Sequence, residues 1–386
     1  MAQNSIALAA ANNPAATVRT QTQRTWNDAT PVAGGIPGDF VPQCNLTIGT
    51  ANGECGAWVF QDFGNSNPTT RYDSSIMEGW GVRPYNWEFS AGVQHELVPR
   101  LSISAAYFRR VYGNFNVLDN EALSASDFTP YSVLIPTTST PGGTLPGAGT
   151  MIGGLFDPNS TAVNNVIKDA SVFGKQQAHW NGFDISVDAR LRNGLFLQGG
   201  VSSGKDLYDF CDVVDDVPEA LTQLAAAQAT TSPLYVGAST PAGSCRQETP
   251  FLTQWKGLAS YTLPYGIRVS GTFQSLYGPP LVATNIYNNT NRTTATTLPR
   301  PFTAGQATVN LYEPVSKYGD RLNQIDLRLT KIVNVGHGRI DLNVDFFNAF
   351  NSDAVIGELG SFGPAWRLPL TVIQPRFVKF GVRYDF

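Results

Sequence analysis

Apolar and polar residues alternate along several stretches of this chain. At its end Phe386, Tyr384, Val382, Phe380 and Val378 fall on one side and Asp385, Arg383, Gly381 and Lys379 on the other, with Phe377 out of phase. Ile340, Leu342, Val344 and Phe346 alternate with Arg339, Asp341, Asn343 and Asp345. Ile325, Leu327 and Leu329 alternate with Gln324, Asp326, Arg328 and Thr330. Phe183, Ile185, Val187, Ala189 and Leu191 alternate with Asp184, Ser186, Asp188 and Arg190. A period of two places one set on each side of a β-strand, whereas on a helix it would scatter charge around the circumference. The fold class expected is therefore all-β and antiparallel.

The spacing of these stretches adds to the picture. Strand pairs are joined by very short turns at Val98-Pro99-Arg100, Arg192-Asn193-Gly194, Pro264-Tyr265 and Val335-Gly336-His337. Long polar segments lie between the pairs, at about 27–79, 118–178, 207–250, 278–321 and 351–370. Most connections in a globular domain are short. Alternation of very short with very long connections is the habit of a transmembrane β-barrel, with short periplasmic turns and long extracellular loops. Ten strands are expected, at about 15–26, 82–97, 100–116, 179–191, 194–206, 251–263, 266–277, 322–333, 338–349 and 372–386. An even count would put both chain ends on the periplasmic side. Residues 1–14 are expected to be disordered or a truncated N-terminal segment, and 15–386 to be the barrel domain.

Composition agrees with that reading. Hydrophobic residues make up 42% and charged residues 15%, and the chain carries 37 Gly, 25 Pro and 11% aromatics. A coiled coil would be rich in Ala, Glu, Lys and Leu, and a disordered chain would lack aromatics. A net charge of −4 gives no footprint for nucleic acid. No apolar run is long enough for a transmembrane helix, and the start lacks the basic region of a signal peptide.

If one face of each strand meets lipid, the charged face lines a lumen. Asp184, Asp188, Arg190, Asp326, Arg328, Arg339, Asp341, Asp345, Lys379 and Arg383 are the lumen-facing polar candidates, joined by Asp385. So many charges are incompatible with a dry apolar interior. Aromatics cluster near strand ends: Trp80, Tyr85 and Trp87; Tyr107 and Tyr112; Trp255 and Tyr261; Tyr384 and Phe386. Interfacial girdles account for this, as does a β protein that is simply aromatic-rich.

Cys44 and Cys55 are 11 residues apart and Cys211 and Cys245 are 34 apart, each pair bracketing one polar segment. Zinc-ligand spacing is missing. Two loop disulfides in an oxidising compartment are the preferred reading, with four reduced thiols as the alternative.

Other motifs carry less. Gly200-Val201-Ser202-Ser203-Gly204 matches G-x-S-x-G, but it falls at the end of an expected strand running into a polar loop, without the strand–turn–helix context of a nucleophile elbow. Around Gly147-Ala148-Gly149 the phosphate-binding glycine pattern is incomplete. His95, His179 and His337 have no paired spacing, and His95 falls on an apolar face near a turn. Asp209, Asp212, Asp215, Asp216 and Glu219 could bind calcium, but they lack EF-hand spacing and read better as a solvated loop. No catalytic residue, metal site or cofactor is expected.

Several segments bear a family resemblance. Trp80-Gly81-Val82-Arg83-Pro84-Tyr85-Asn86-Trp87-Glu88-Phe89, Gly92-Val93-Gln94-His95-Glu96-Leu97, Tyr107-Phe108-Arg109-Arg110 and Gly113-Asn114-Phe115 resemble the barrel of a TonB-dependent receptor. The group they resemble is the Oar-like class with a carboxypeptidase-regulatory-like N-terminal domain. Asn323-Gln324-Ile325-Asp326-Leu327-Arg328, Asp345-Phe346-Phe347-Asn348-Ala349-Phe350-Asn351, the cysteine loops and the ending from Pro375 to Phe386 continue it. The similarity runs from about residue 15 onward and covers only the C-terminal part of such a barrel. Phe380, Val382, Tyr384 and Phe386 are similar to the signal that the outer-membrane assembly machinery reads. The resemblance implies import or binding of a bulky solute at the bacterial outer membrane. Outer-membrane lipid and the assembly machinery are the implied partners, and the TonB complex is one where a plug-bearing N-terminal part exists. The alternative is a stand-alone ten-strand barrel with a binding, adhesion or structural role.

Overall fold

A computed structural model of the chain describes residues 18–28, 36–61, 63–65, 71–191, 194–221 and 240–386. Nine long strands form one antiparallel meander: β1 Tyr85–Val98, β2 Leu101–Gly113, β3 Gln177–Arg190, β4 Leu195–Asp209, β5 Leu252–Leu263, β6 Ile267–Leu276, β7 Leu322–Val335, β8 Gly338–Phe347 and β9 Phe377–Asp385. Each pairs with its neighbours in sequence. A tenth, short strand, Arg246–Glu248, extends the loop end of β4, with Gln247 opposite Tyr208.

The nine long strands fall where alternation places them. The expected first strand does not appear. Residues 15–17 lie outside the described residues, and 18–28 hold only isolated bridges such as Trp26 to Cys55. That segment is held by side chains instead: Arg24 Nε donates to Gly56 O at 2.8 Å and Nη2 to Thr50 O at 3.0 Å. Among the described residues the long strands are therefore odd in number. The backbone joins the sheet at its long-loop end and leaves at its short-turn end, so β1 and β9 run in the same direction. Among the described residues nothing pairs with the outer edge of either.

The short turns are built for their geometry. Arg100 has φ 74°, and its N–H donates to Glu96 Oε1 at 2.8 Å. Tyr265 and Gly266 both take positive φ, and a Cβ on Gly266 would meet Ile332 O at 2.8 Å, so this turn needs glycine. Arg192 and Asn193 of the second turn lie outside the described residues.

The long connections, expected to be polar surface loops, contain folded hairpins. Phe128–Leu134 pairs with Met151–Pro158, Thr284–Asn288 with Gln306–Asn310, and Val355–Glu358 with Pro369–Val372. Between them lies the largest hydrophobic core, with Tyr131, Val133, Leu155, Tyr287, Leu298, Val309 and Trp366 buried together. Tyr287 Oη donates to Leu134 O at 2.7 Å and Trp366 Nε1 to Val282 O at 2.9 Å, so the two largest side chains are buried with their polar tips satisfied. Arg300 ties the cap together through Asp157 Oδ2 at 2.6 Å, Pro158 O at 2.9 Å and Asn159 Oδ1 at 2.8 Å. The dry core of this protein is thus in its loop cap.

Candidate functional site: a polar wall behind an apolar face

Directly opposite residues of an antiparallel pair share a face, so the register assembles the ten polar candidates into one surface. Arg328 faces Asp345, which faces Lys379; Asp341 faces Arg383; Arg339 faces Asp385. Asp326 faces Thr272 on β6. On the other half of the sheet Asp184 faces Ser202, Asp188 faces Gln198, and Arg190 faces Phe196, its guanidinium 5.5 Å from the ring centroid.

On β8 the polar face is the more enclosed one. Asp345 is 5% exposed and Asp341 8%, while Leu342 between them is 44% exposed, and Phe380 and Val382 on β9 are 77% and 72% exposed. The sheet is inside out relative to a water-soluble barrel, whose apolar side would be covered. Phe386, Tyr384, Val382 and Phe380 all project from this bare apolar face. His95 is there too, opposite Ile103. Exposed aromatics mark both ends of it, with Trp87 and Trp255 toward the loops and Tyr261, Tyr265, Tyr384 and Phe386 toward the turns.

Charges on the polar wall are mostly satisfied by neighbours. Arg328 bonds Asp345, Arg339 bonds Asp341, Arg383 bonds Asp385 and Arg110 bonds Glu88. Asp326 accepts from Gln324 Nε2 at 2.9 Å and from Asn348 N at 2.8 Å. Neutral side chains fill the rungs between them: Thr330 donates to Asn343 Oδ1 at 2.7 Å, Gln274 to Gln324 Oε1 at 2.8 Å, and Ser104 and Ser186 hydroxyls meet at 2.6 Å. Charge patterning singled out only the ionised members. The neutral ones carried the same signal, the parity of their position within an alternating strand.

Both cysteine pairs are disulfides, Cys44–Cys55 and Cys211–Cys245. The second anchors its loop beside Tyr208, Phe210, Val214 and Leu221. The acidic run does not converge: Asp209 bonds Arg246, whereas Glu219 is buried and accepts from Asn120 N at 2.9 Å. Burial pushes the Glu219 carboxyl above the usual carboxylate range. Hydrogen bonds to Asp119 and Glu121 raise the Lys168 ammonium in the same cap. Burial carries the Tyr318 phenol up to about 12. Among the described residues no three acidic, histidine or cysteine side chains group to hold a metal. Ser202 of the G-x-S-x-G match lies inside β4, which continues to Asp209, and donates to Asp184. It is not on an elbow.

Comparison with known proteins adds one structural likeness. No family model matches the chain, and no curated protein does. Among solved structures, the outer membrane transporter YddB from Escherichia coli aligns with a TM-score of 0.40 and 13% identity over 78% of this chain. The alignment covers 33% of that protein, so this chain spans about a third of its length.

Proposed function

We propose that this chain forms wall and loop cap of an outer-membrane β-barrel through which, or at which, a bulky solute is taken up. One observation carries the reading: on β8 the apolar side is bare, while Asp341 and Asp345 on the charged side are buried and paired with arginines. In water such a sheet would expose its least soluble face. In a bilayer that face meets hydrocarbon and the charges line a wet lumen. On β1 the outward apolar positions run from Trp87 to Leu97. That is roughly 34 Å of strand, or roughly 26 Å of depth at a tilt of about 40°, which matches an outer-membrane hydrocarbon band. The family resemblance adds dependence on TonB for energy, and under that reading the nine strands belong to a larger wall.

The folded cap supports a second reading, a barrel that binds at the cell surface without transport. Its disulfides and its own core make the loops a rigid surface of the kind adhesion requires.

The tests are direct. The protein should fractionate with outer membranes and show heat-modifiable gel mobility; recovery as a detergent-free soluble monomer would overturn the membrane reading. Solute uptake that stops when the TonB complex is deleted supports the receptor, and surface binding indifferent to that deletion supports the second reading.

A further inference from the structure

Resting on the barrel reading above, we propose that the polar wall across β2–β5 holds a saccharide-binding subsite. Two adjacent rows of the register build it. Ala106, Asp184, Ser202 and Gln254 stand in line across the four strands, and Ser104, Ser186, Gly200 and Lys256 stand in the next line. Together they line a cavity of about 390 Å³ on the polar face, near the lower end of the range for small-ligand pockets. The depression exists because its centre carries the smallest side chains. Gly200 cannot be enlarged, since a Cβ there would lie 2.5 Å from Ile185 O.

The charges of this patch stand open. Above it Arg110 is closed on Glu88, and across the sheet Arg328 is closed on Asp345. Among the described residues Asp184 and Lys256 make no ion pair, and Asp184 accepts only from Ser202. The paired hydroxyls of Ser104 and Ser186 keep lone pairs for a further donor. The patch therefore offers a carboxylate, an ammonium, an amide and hydroxyls within one small concavity.

Aromatic rings close its loop side. Phe108 lines the cavity itself. One row on, the Trp180 ring lies against Gly182 and Gly204, where any Cβ would collide with it.

A neutral polyhydroxylated ring answers each of these groups. Its hydroxyls donate to Asp184 and accept from Lys256 and Gln254, and its C–H face rests on an aromatic ring. A simple anion would be repelled by Asp184, and a cation by Lys256. The rival with both charges is a small zwitterion such as a dipeptide.

The experiment uses the full chain folded in lipid vesicles, titrated calorimetrically with maltose, sucrose and trehalose, and with alanylalanine as the zwitterionic rival. At least one disaccharide should bind saturably. Lys256→Met and Asp184→Asn should each weaken it about tenfold, the loss expected for one hydrogen bond to a charged group. Ala106→Leu, which fills the floor, should abolish it. Each variant is first checked for heat-modifiable mobility, so that misfolding is not read as lost binding. Flat titrations with all three sugars, affinities unmoved by both charge variants, or tighter binding of alanylalanine would overturn the subsite alone. Failure of the wild-type chain to insert into vesicles would overturn the barrel reading and the subsite with it.

Discussion

Arg328 on β7 grips both carboxylate oxygens of Asp345 on β8, Nη2 donating to Oδ2 at 3.0 Å and Nε donating to Oδ1, and Lys379 on β9 faces the same carboxylate from the other side. Asp345 is nearly buried, whereas the Arg328 side chain is 54% exposed. The pair is thus screened on one side only. A half-exposed pair contributes about 1 kcal/mol after discounting for solvent, and Lys379 offsets part of its loss. Arg328→Met should lower unfolding stability in urea by about 1 kcal/mol, and a double-mutant cycle with Asp345→Asn should return coupling of similar size. Coupling indistinguishable from zero would show that the wall does not depend on this pair.

The bare face makes a sharper prediction. Leu329 points from β7 toward the proposed hydrocarbon, while its neighbour Thr330 points to the polar wall and bonds Asn343. On a solvent-facing surface Leu329→Arg would change stability little. Facing lipid, it should cost about 2–4 kcal/mol at mid-depth. Folding yield and urea midpoint in vesicles measure the difference, with Asn334→Arg, near the turns on the polar face, as the tolerated control. If the two variants behave alike, the assignment of faces is wrong.

Cap and wall should melt separately. Cys211–Cys245 closes a loop of 34 residues' separation and Cys44–Cys55 one of 11. Chain-entropy arguments give about 4 and about 3 kcal/mol respectively. The first bond lies in the connection after β4 and the second ahead of β1, so neither crosses a strand ladder. Replacing Cys211 and Cys245 by serine should expose the loop after β4 to chymotrypsin, which can cut after Phe210 and Leu221, while leaving heat-modifiable mobility intact. Loss of that mobility in the variant would mean that cap and wall fold as one unit.

The wall was legible in the sequence because a half-lipid, half-water strand alternates along its length, and four segments did so clearly, Phe377 apart, while the short turns placed the others. The expected strand at 15–26 had the length but no apolar row; Arg24 donates to Thr50 O and Gly56 O, and Thr22 Oγ1 accepts from Phe60 N instead. The cap core was not legible. Trp366, Tyr287 and Val309 come from irregular segments far apart in the chain, and no period marks which of their neighbours face inward. Ser104, Ser186, Gln254 and Lys256 could have been placed on the wall by parity, but only strand pairing brings them to one level.

The final prediction concerns acidity in the cap. Glu219 is buried and its carboxyl is raised above the ordinary 4.5, chiefly by burial, with the Asn120 N–H holding part of the charge. The folded state therefore keeps a proton that the unfolded segment has already released. In the window between 4.5 and the raised value the native state binds more protons, so stability falls as pH rises through it and levels off above. The segment Asp209–Leu221 should accordingly become more resistant to proteolysis as pH drops through that window. Glu219→Gln keeps an acceptor for Asn120 and cannot ionise, so it should hold the resistant state at neutral pH and flatten the profile. A wild-type profile that shows no fall across the window, or one that Glu219→Gln leaves unchanged, would assign the pH response to other groups.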